Sequence, residues 1–424
     1  MTNPASNVDV HTDDGVPVAG YIAPGFERVR DAFVANFAIP LDPLNALILG
    51  PGLAESGSAV SIFHRGHKVV DLWGGFDRRS GPAPKPYPAD GLQLVFSTTK
   101  GITAIAANLL VQRGLLDLDA PVTHYWPEFG KEGKEGIPVR WLLCHRSGIP
   151  WTDEPMTFAE ALVWDNVTAS IERQAPAWEP GTQHGYHATT YGWLVGELIR
   201  RVSGVSVGEF IDTELRAPLG LDLWVGLPEE QHARVVPLEV IALPDDPMMG
   251  PMVDQFVGPD VPLGRALFSP GGAWREKMFE SFNDPALWSA QIPAANGITD
   301  ARSLAKLYAA TVGSVVDADG TVHERLLSAQ TVAAAAIPQT TGVDHVLMGM
   351  EMQYGLGFNL PGPTLALGGP HSFGHYGAGG SVGFADPDVE LGFAYVMNKM
   401  YLGLSGDPRS ASLITAAYEA IADL

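Results

Sequence analysis

Between Leu92 and Gly114 the hydrophobic pattern changes period. Leu94-Val95-Phe96 is a continuous apolar run that stops at Ser97; from there Ile102, Ile105 and Leu109 recur at helical spacing, and Gly114 closes the helix. Upstream, Phe26, Val29, Phe33 and Phe37 predict a helix within GFERVRDAFVANFA, and AVSIFHRGHKVVDLWGG reads as a hairpin turning at Arg65-Gly66. The middle of the chain is mostly helical: VRWLLCHRSGIPW, YGWLVGELIRRVSG and GITDARSLAKLYAATVG give the clearest helices, the last with Asp300 placed to cap it. Residues 238–290 are rich in Pro, Gly and Met and show no periodicity, the pattern of a long loop serving a site. Strand-like runs return in YGLGFNL, HSFGHYG, SVGFADP and ELGFAYVMN, and the helix SASLITAAYEAIADL follows.

These elements predict an α+β fold. Strands from both ends form one antiparallel sheet, flanked by helices, with a mostly helical insertion. The expected division is a sheet domain over 19–96 and 340–424, a helical domain with long loops over 97–339, and a loose tail over 1–18. A site is expected between the two parts.

Composition narrows the classes. With 424 residues and 46% hydrophobic positions the chain buries a large core. Its 26 basic and 48 acidic residues give a net charge of −22, which speaks against nucleic-acid or anionic-membrane partners. The single cysteine, Cys144, lies in an apolar helical pattern and reads as buried. The N-terminal residues have neither a basic region nor an apolar core of a signal peptide, and no apolar run reaches the ~18 residues of a membrane helix. The expectation is a soluble cytoplasmic protein.

Lys100 follows Ser97 at i+3, one helical turn along. A hydroxyl in a first helical turn feels the positive helix end, and a buried lysine there becomes useful in proton transfer. The alternative is a capping serine and a solvated lysine. A second pair, Ser303 and Lys306, lies inside an amphipathic helix and reads as a surface hydroxyl. Gly379 to Gly383, GGSVG, matches the nucleophile elbow of α/β-hydrolases around Ser381; that fold needs a later histidine as base, and the last one here is His375. His64 with His67 and His184 with His187 invite a metal reading, but no nearby pattern completes a ligand set, so neither metal nor cofactor is expected.

Four motifs occur in order: the stretch at Ser97, LLCHRSGIP, WEPGTQHGYHATTYGWLVGELIRRVSG and FGHYGAGGSVGFADP. With them the chain resembles the serine β-lactamase and penicillin-binding-protein superfamily from about Gly25 onward, and most of all its class C β-lactamase-like carboxylesterases, the family-eight esterases. The resemblance implies that Ser97 is the nucleophile, Lys100 its partner and Tyr186 the general base, its pKa lowered by nearby cations or by a proton shared with Lys100. It implies an oxyanion hole from the backbone N–H groups of Ser97 and Ala378, and places His375 and Gly377 of the third motif beside the substrate. Trp151 follows a loop that resembles a site-edge loop, and Met248, Met249, Met252 and Phe256 are expected to line an apolar pocket.

Two departures shape the functional expectation. Ala188 stands where the β-lactamases of the superfamily have asparagine, and His375 where they have lysine. Both changes remove affinity for an anionic amide. The resemblance therefore implies a serine carboxylesterase acting on small esters. The alternatives are an acyltransferase to an alcohol, then a β-lactamase or DD-peptidase, or a binding protein on an inherited scaffold.

Overall fold

The structure is a computed structural model that describes residues 6–38, 54–77, 84–240, 249–401 and 406–424. The main sheet is built from both ends of the chain. Among the described residues seven of its ten strands form one continuous path: β1 (Ser6–His11), β2 (Pro17–Ile22), β3 (Gly57–His64), β4 (His67–Asp77), β5 (Phe373–Tyr376), β6 (Val382–Asp386) and β7 (Leu391–Met397). They run in the order β1-β2-β4-β3-β7-β6-β5, each antiparallel to its neighbour. Arg65 and Gly66 turn the β3–β4 hairpin with φ of 50° and 78°, the paired left-handed conformation that matches strand twist.

Residues 6–11 correct the expectation of a loose tail. Val8 is buried, and the strand pairs with β2 from Ser6↔Ile22 to His11↔Pro17. Only Val8 and Val10 carried the alternation, too short a pattern to stand out beside the polar residues around them.

Helices cover both faces of the sheet. The helices include α1 (Glu27–Ala35), α2 (Thr98–Gln112), α3 (Thr190–Ser203), which packs on α2 rather than on the sheet, α4 (Ala301–Val312) and α5 (Pro408–Ala422). Successive strand residues point to opposite faces. Gly383 and Gly392 abut α4, while Phe384 and the Tyr418 hydroxyl of α5 crowd the same glycine, Gly368. All seven residues of β7 are accordingly buried, which explains its unbroken apolar run. Helix α4 thus packs on the sheet although it lies within 97–339.

Asp300 caps α4 by accepting the Ser303 N–H at 2.7 Å. Ser303 is buried, not on the surface: its Oγ accepts the Asp222 N–H at 2.8 Å. Lys306, also buried, donates to Leu219 O and pairs with Asp317, so this second Ser–Lys pair is structural.

The segment read as one long loop carries short helices at Met249–Val257, Pro262–Leu267 and Pro285–Ser289. Each is too short for a clear period, and two begin with proline, which suits a first helical turn. Among the described residues no helix is long and apolar enough to cross a membrane.

A small three-stranded sheet orders Gln93–Leu94, Gly297–Thr299 and Leu223–Val225, with Gly297–Thr299 in the centre. It brings residues 293–297 against the start of α2. The Val95 N–H donates to Gly297 O at 2.9 Å, and the Gly297 N–H to Thr99 Oγ1 at 2.8 Å. Helix α2 is buried at every position from Thr98 to Leu110, rather than along one stripe, because strands and α3 surround it.

Candidate active site

The chain enters α2 through a sharp turn. Phe96 holds φ of 44°, a left-handed conformation that is costly for a bulky residue. Its ring is fixed against Phe282 and Phe279, at centroid distances of 4.7 and 5.8 Å. Ser97 therefore sits at the head of α2, but its side chain caps nothing. Its Oγ instead meets Lys100 Nζ at 3.1 Å and hydrogen-bonds the Tyr186 side chain. Between a capping and a chemical serine, the geometry favours the second.

Lys100 is fully buried, and its other two contacts are carbonyl oxygens: Ala188 O at 2.5 Å and Ala294 O at 3.0 Å. Burial drives its ammonium well below the ordinary lysine range. A neutral amine has two N–H groups and one lone pair. With the two carbonyls holding those N–H groups, a neutral Lys100 has its lone pair left for the proton that Ser97 gives up on attack. Ala188 thus contributes its backbone to the site where its side chain offers nothing polar.

Tyr186 is buried, with Lys100 Nζ 4.8 Å from its ring centroid. Burial pushes its phenol above the ordinary value, against the smaller pull of its bond to Ser97. This reverses the expectation of a lowered pKa. The same burial lowers the Lys100 pKa, which weakens the cation that would have stabilised a phenolate.

The loop after β5 completes the surround. Ala378 lines the same cavity as Ser97 and Tyr186. Neither its N–H nor that of Ser97 is taken up by an acceptor among the described residues. Gly377 does not line that cavity. Its N–H donates to Ser381 O at 2.7 Å, and a Cβ there would lie 2.2 Å from both Ser381 Oγ and Val95 O. Gly377 is a close-packing position rather than a substrate contact. Ser381, buried, donates to Val95 O at 2.8 Å and so ties this loop to the turn before Ser97.

His375 lines the cavity and is buried. Its Nδ1 donates to Tyr376 O at 2.7 Å, Nε2 has no hydrogen-bond partner among the described residues, and burial lowers its pKa to about 3. The ring is neutral and turns a lone pair, not a charge, to its surroundings. His187 is a bracing residue: Nδ1 donates to Gly185 O at 2.6 Å, while Nε2 accepts the Ile149 N–H at 3.2 Å and bonds Ser147 Oγ at 2.8 Å.

The pocket wall differs from expectation. Trp151 does not line the cavity; it lies between Trp178 and the Arg265 guanidinium, 4.1 Å above its ring. Phe256 is 49% exposed and also absent from the lining. Met248 lies outside the described residues, as do the side chains of Met249 and Met252. The apolar wall comes instead from Leu267, Leu347, Met350, Met352 and Leu365, with Asn359 the polar exception. Four of these follow Asp344, a buried carboxylate that sequence reasoning passed over. The run VLMGMEM was the available signal, but nothing local connected it to Ser97.

Comparison with known proteins agrees with this geometry. The family model described as Beta-lactamase matches residues 48–416, and the chain belongs to that family. It is 33% identical over 402 residues to Esterase/beta-lactamase LipL of Mycobacterium tuberculosis (strain ATCC 25618 / H37Rv), covering 92% of this chain and 84% of that protein. Among solved structures it resembles a family VIII carboxylesterase, with 34% identity, a TM-score of 0.79, and 95% and 99% of the two chains covered. EstA from Arthrobacter nitroguajacolicus Rue61a is similar at 32% identity and a TM-score of 0.80, over 95% and 98% of the two chains.

Proposed function

We propose that the protein, a carboxylesterase of the β-lactamase-like class, cleaves small uncharged esters through an acyl-enzyme on Ser97. The observation that carries this reading is the buried Lys100, whose Nζ lies 3.1 Å from Ser97 Oγ and whose other hydrogen-bond partners among the described residues are two carbonyl oxygens. Lys100 takes the Ser97 proton as Oγ attacks the ester carbonyl. The N–H groups of Ser97 and Ala378 hold the oxyanion; losing one such donor typically costs ~10²–10³ in rate. Tyr186, a phenol kept protonated by burial, gives its proton to the departing alkoxide, and the Lys100 ammonium restores it. Water then attacks the acyl-enzyme, its proton passing to the same pair. The acid leaves and Ser97 regains its proton.

The apolar wall of Leu267, Leu347, Met350, Met352 and Leu365 supports an uncharged acyl group. The test is intact-mass spectrometry after brief exposure to p-nitrophenyl butyrate and, separately, to a serine-directed phosphonate, with the adduct mapped by digestion. The expected result is label on Ser97 and loss of about 10⁴ or more in rate for Ser97→Ala. Full esterase activity in that variant would overturn the mechanism. Added alcohol in the same assay separates hydrolysis from acyl transfer through the products formed.

A further inference from the structure

We infer that Asp344 is a positioning residue that ties the main chain of Tyr186 to the wall of the acyl pocket, so that the proton donor and the acyl group share one register. This rests on the roles proposed above for Ser97 and Tyr186. Asp344 is completely buried, yet its partners are three backbone N–H groups and one hydroxyl, none of them cationic. Oδ1 accepts from Tyr186 N at 3.1 Å, Val346 N at 2.9 Å and Leu347 N at 2.8 Å, and Oδ2 accepts the Tyr354 hydroxyl at 2.9 Å.

A buried carboxyl group is costly unless its hydrogen bonds are made, and among the described residues these four donors make them. What the arrangement achieves is rigidity across a long sequence gap. The 344–350 turn is closed by the Asp344 N–H donating to Met350 O at 2.9 Å, and it carries Leu347 and Met350 into the cavity. The Tyr354 ring stacks on Tyr186 at 6.4 Å with 13° between planes, so the same carboxylate also fixes a ring beside the phenol. One oxygen atom thus joins the backbone of Tyr186 to that of Leu347.

The test compares Asp344→Ala and Asp344→Asn, alone and combined with Tyr186→Phe, on ethyl acetate, butyrate and hexanoate, whose alkoxide leaving group needs the Tyr186 proton. Phosphonate labelling of Ser97 counts active sites, and thermal melts monitor folding. A misplacement of about 1 Å costs about 10² in rate, so Asp344→Ala is expected to lose about that much kcat per labelled site and to flatten the acyl-length preference. Asp344→Asn, which keeps one oxygen for the three N–H groups, is expected to lose less than about tenfold and to keep most of the preference. In the Tyr186→Phe background the Asp344→Ala loss should shrink to less than about threefold, because residues acting through one another are not additive.

A generally structural role would lower the labelled fraction and multiply the Tyr186→Phe loss, leaving chain-length preference intact. That result, or wild-type kcat and preference in a folded Asp344→Ala, would overturn the inference. If Asp344→Ala does not fold, Asp344→Asn decides by the same non-additivity. Normal Ser97 labelling in any of these outcomes leaves the acyl-enzyme reading standing, whereas absent labelling in the wild type removes that reading first.

Discussion

Lys100 Nζ lies 3.1 Å from Ser97 Oγ at the centre of a site where, among the described residues, no carboxylate touches the amine; its other partners are the carbonyls of Ala188 and Ala294. A lysine that served as a charged anchor would be expected beside an acid. This one is placed where its proton is poorly held. In the mechanism proposed above this gives the site its polarity: the amine accepts, the phenol donates, and the N–H groups of Ser97 and Ala378 meet the charge that forms between them.

The first prediction concerns pH. The proposed base must be neutral, so kcat/KM is expected to fall as pH drops through the lowered Lys100 pKa, with Lys100→Met losing about 10³ or more. The same shift has a stability consequence. The folded pKa lies below the unfolded value, so between the two the unfolded chain binds more protons and stability rises with pH. Urea unfolding of wild type against Lys100→Met should show a difference that moves in favour of the wild type as pH rises toward about 10. A difference independent of pH would mean that the folded protein keeps Lys100 charged.

Tyr186→Phe tests the proton donor. A p-nitrophenolate leaves without help, whereas an alkoxide needs a proton as the bond breaks. The variant is therefore expected to lose about tenfold on p-nitrophenyl butyrate and about 10³ or more on ethyl butyrate. Equal losses on both esters would assign Tyr186 to the attack step instead.

Much of this was legible because it is local. The Ser97–Lys100 spacing, the Arg65-Gly66 turn and the Asp300 cap each depend on residues within a few positions of one another. The unread parts depend on distance or on cover. Asp344 meets Tyr186 across 158 positions, and no periodicity records such a contact. Trp151 was expected at the substrate, but Arg265 and Trp178 cover it from elsewhere in the chain. Helix α2 showed an apolar stripe, yet it is surrounded, and its Thr98, Thr99 and Thr103 are as buried as its isoleucines. The expected sign of the Tyr186 shift failed for a related reason: the argument counted on a neighbouring cation, but the phenol is itself buried, and that burial is the largest influence on it.

Gly377 supplies a structural prediction. Its absent Cβ is what lets the end of β5 approach the turn before Ser97, where Thr98 Oγ1 would also lie only 2.9 Å away. Gly377→Ala must part the Ala378 N–H from Ser97 or force Ser381 off Val95. Overpacking of this kind costs about 1–3 kcal/mol. The expected outcome is a lower melting temperature together with a kcat loss near ~10², the scale of one misplaced oxyanion donor. Wild-type kcat in a destabilised Gly377→Ala would separate the loop's packing from the chemistry.

His375 makes the final prediction, about charge in the substrate. With Nδ1 committed to Tyr376 O and the pKa lowered to about 3, the ring stays neutral from pH 5 upward and offers a bare Nε2. A substrate anion brought beside it meets a lone pair and an apolar wall, and the net charge of −22 adds no attraction. The p-nitrophenyl ester of a sulfonate-bearing acid of butyrate length should therefore react at least about tenfold more slowly in kcat/KM than the butyrate ester. A sulfonate does not titrate in this range, so the ratio of the two substrates isolates the protein. It is expected to stay constant from pH 5 to 8. If His375 gained a proton near the ordinary histidine value of about 6.5, the sulfonate ester would gain on the butyrate as pH fell through that value. A ratio that climbed in this way would show that His375 is an anion anchor after all, and would reopen the site to acidic substrates.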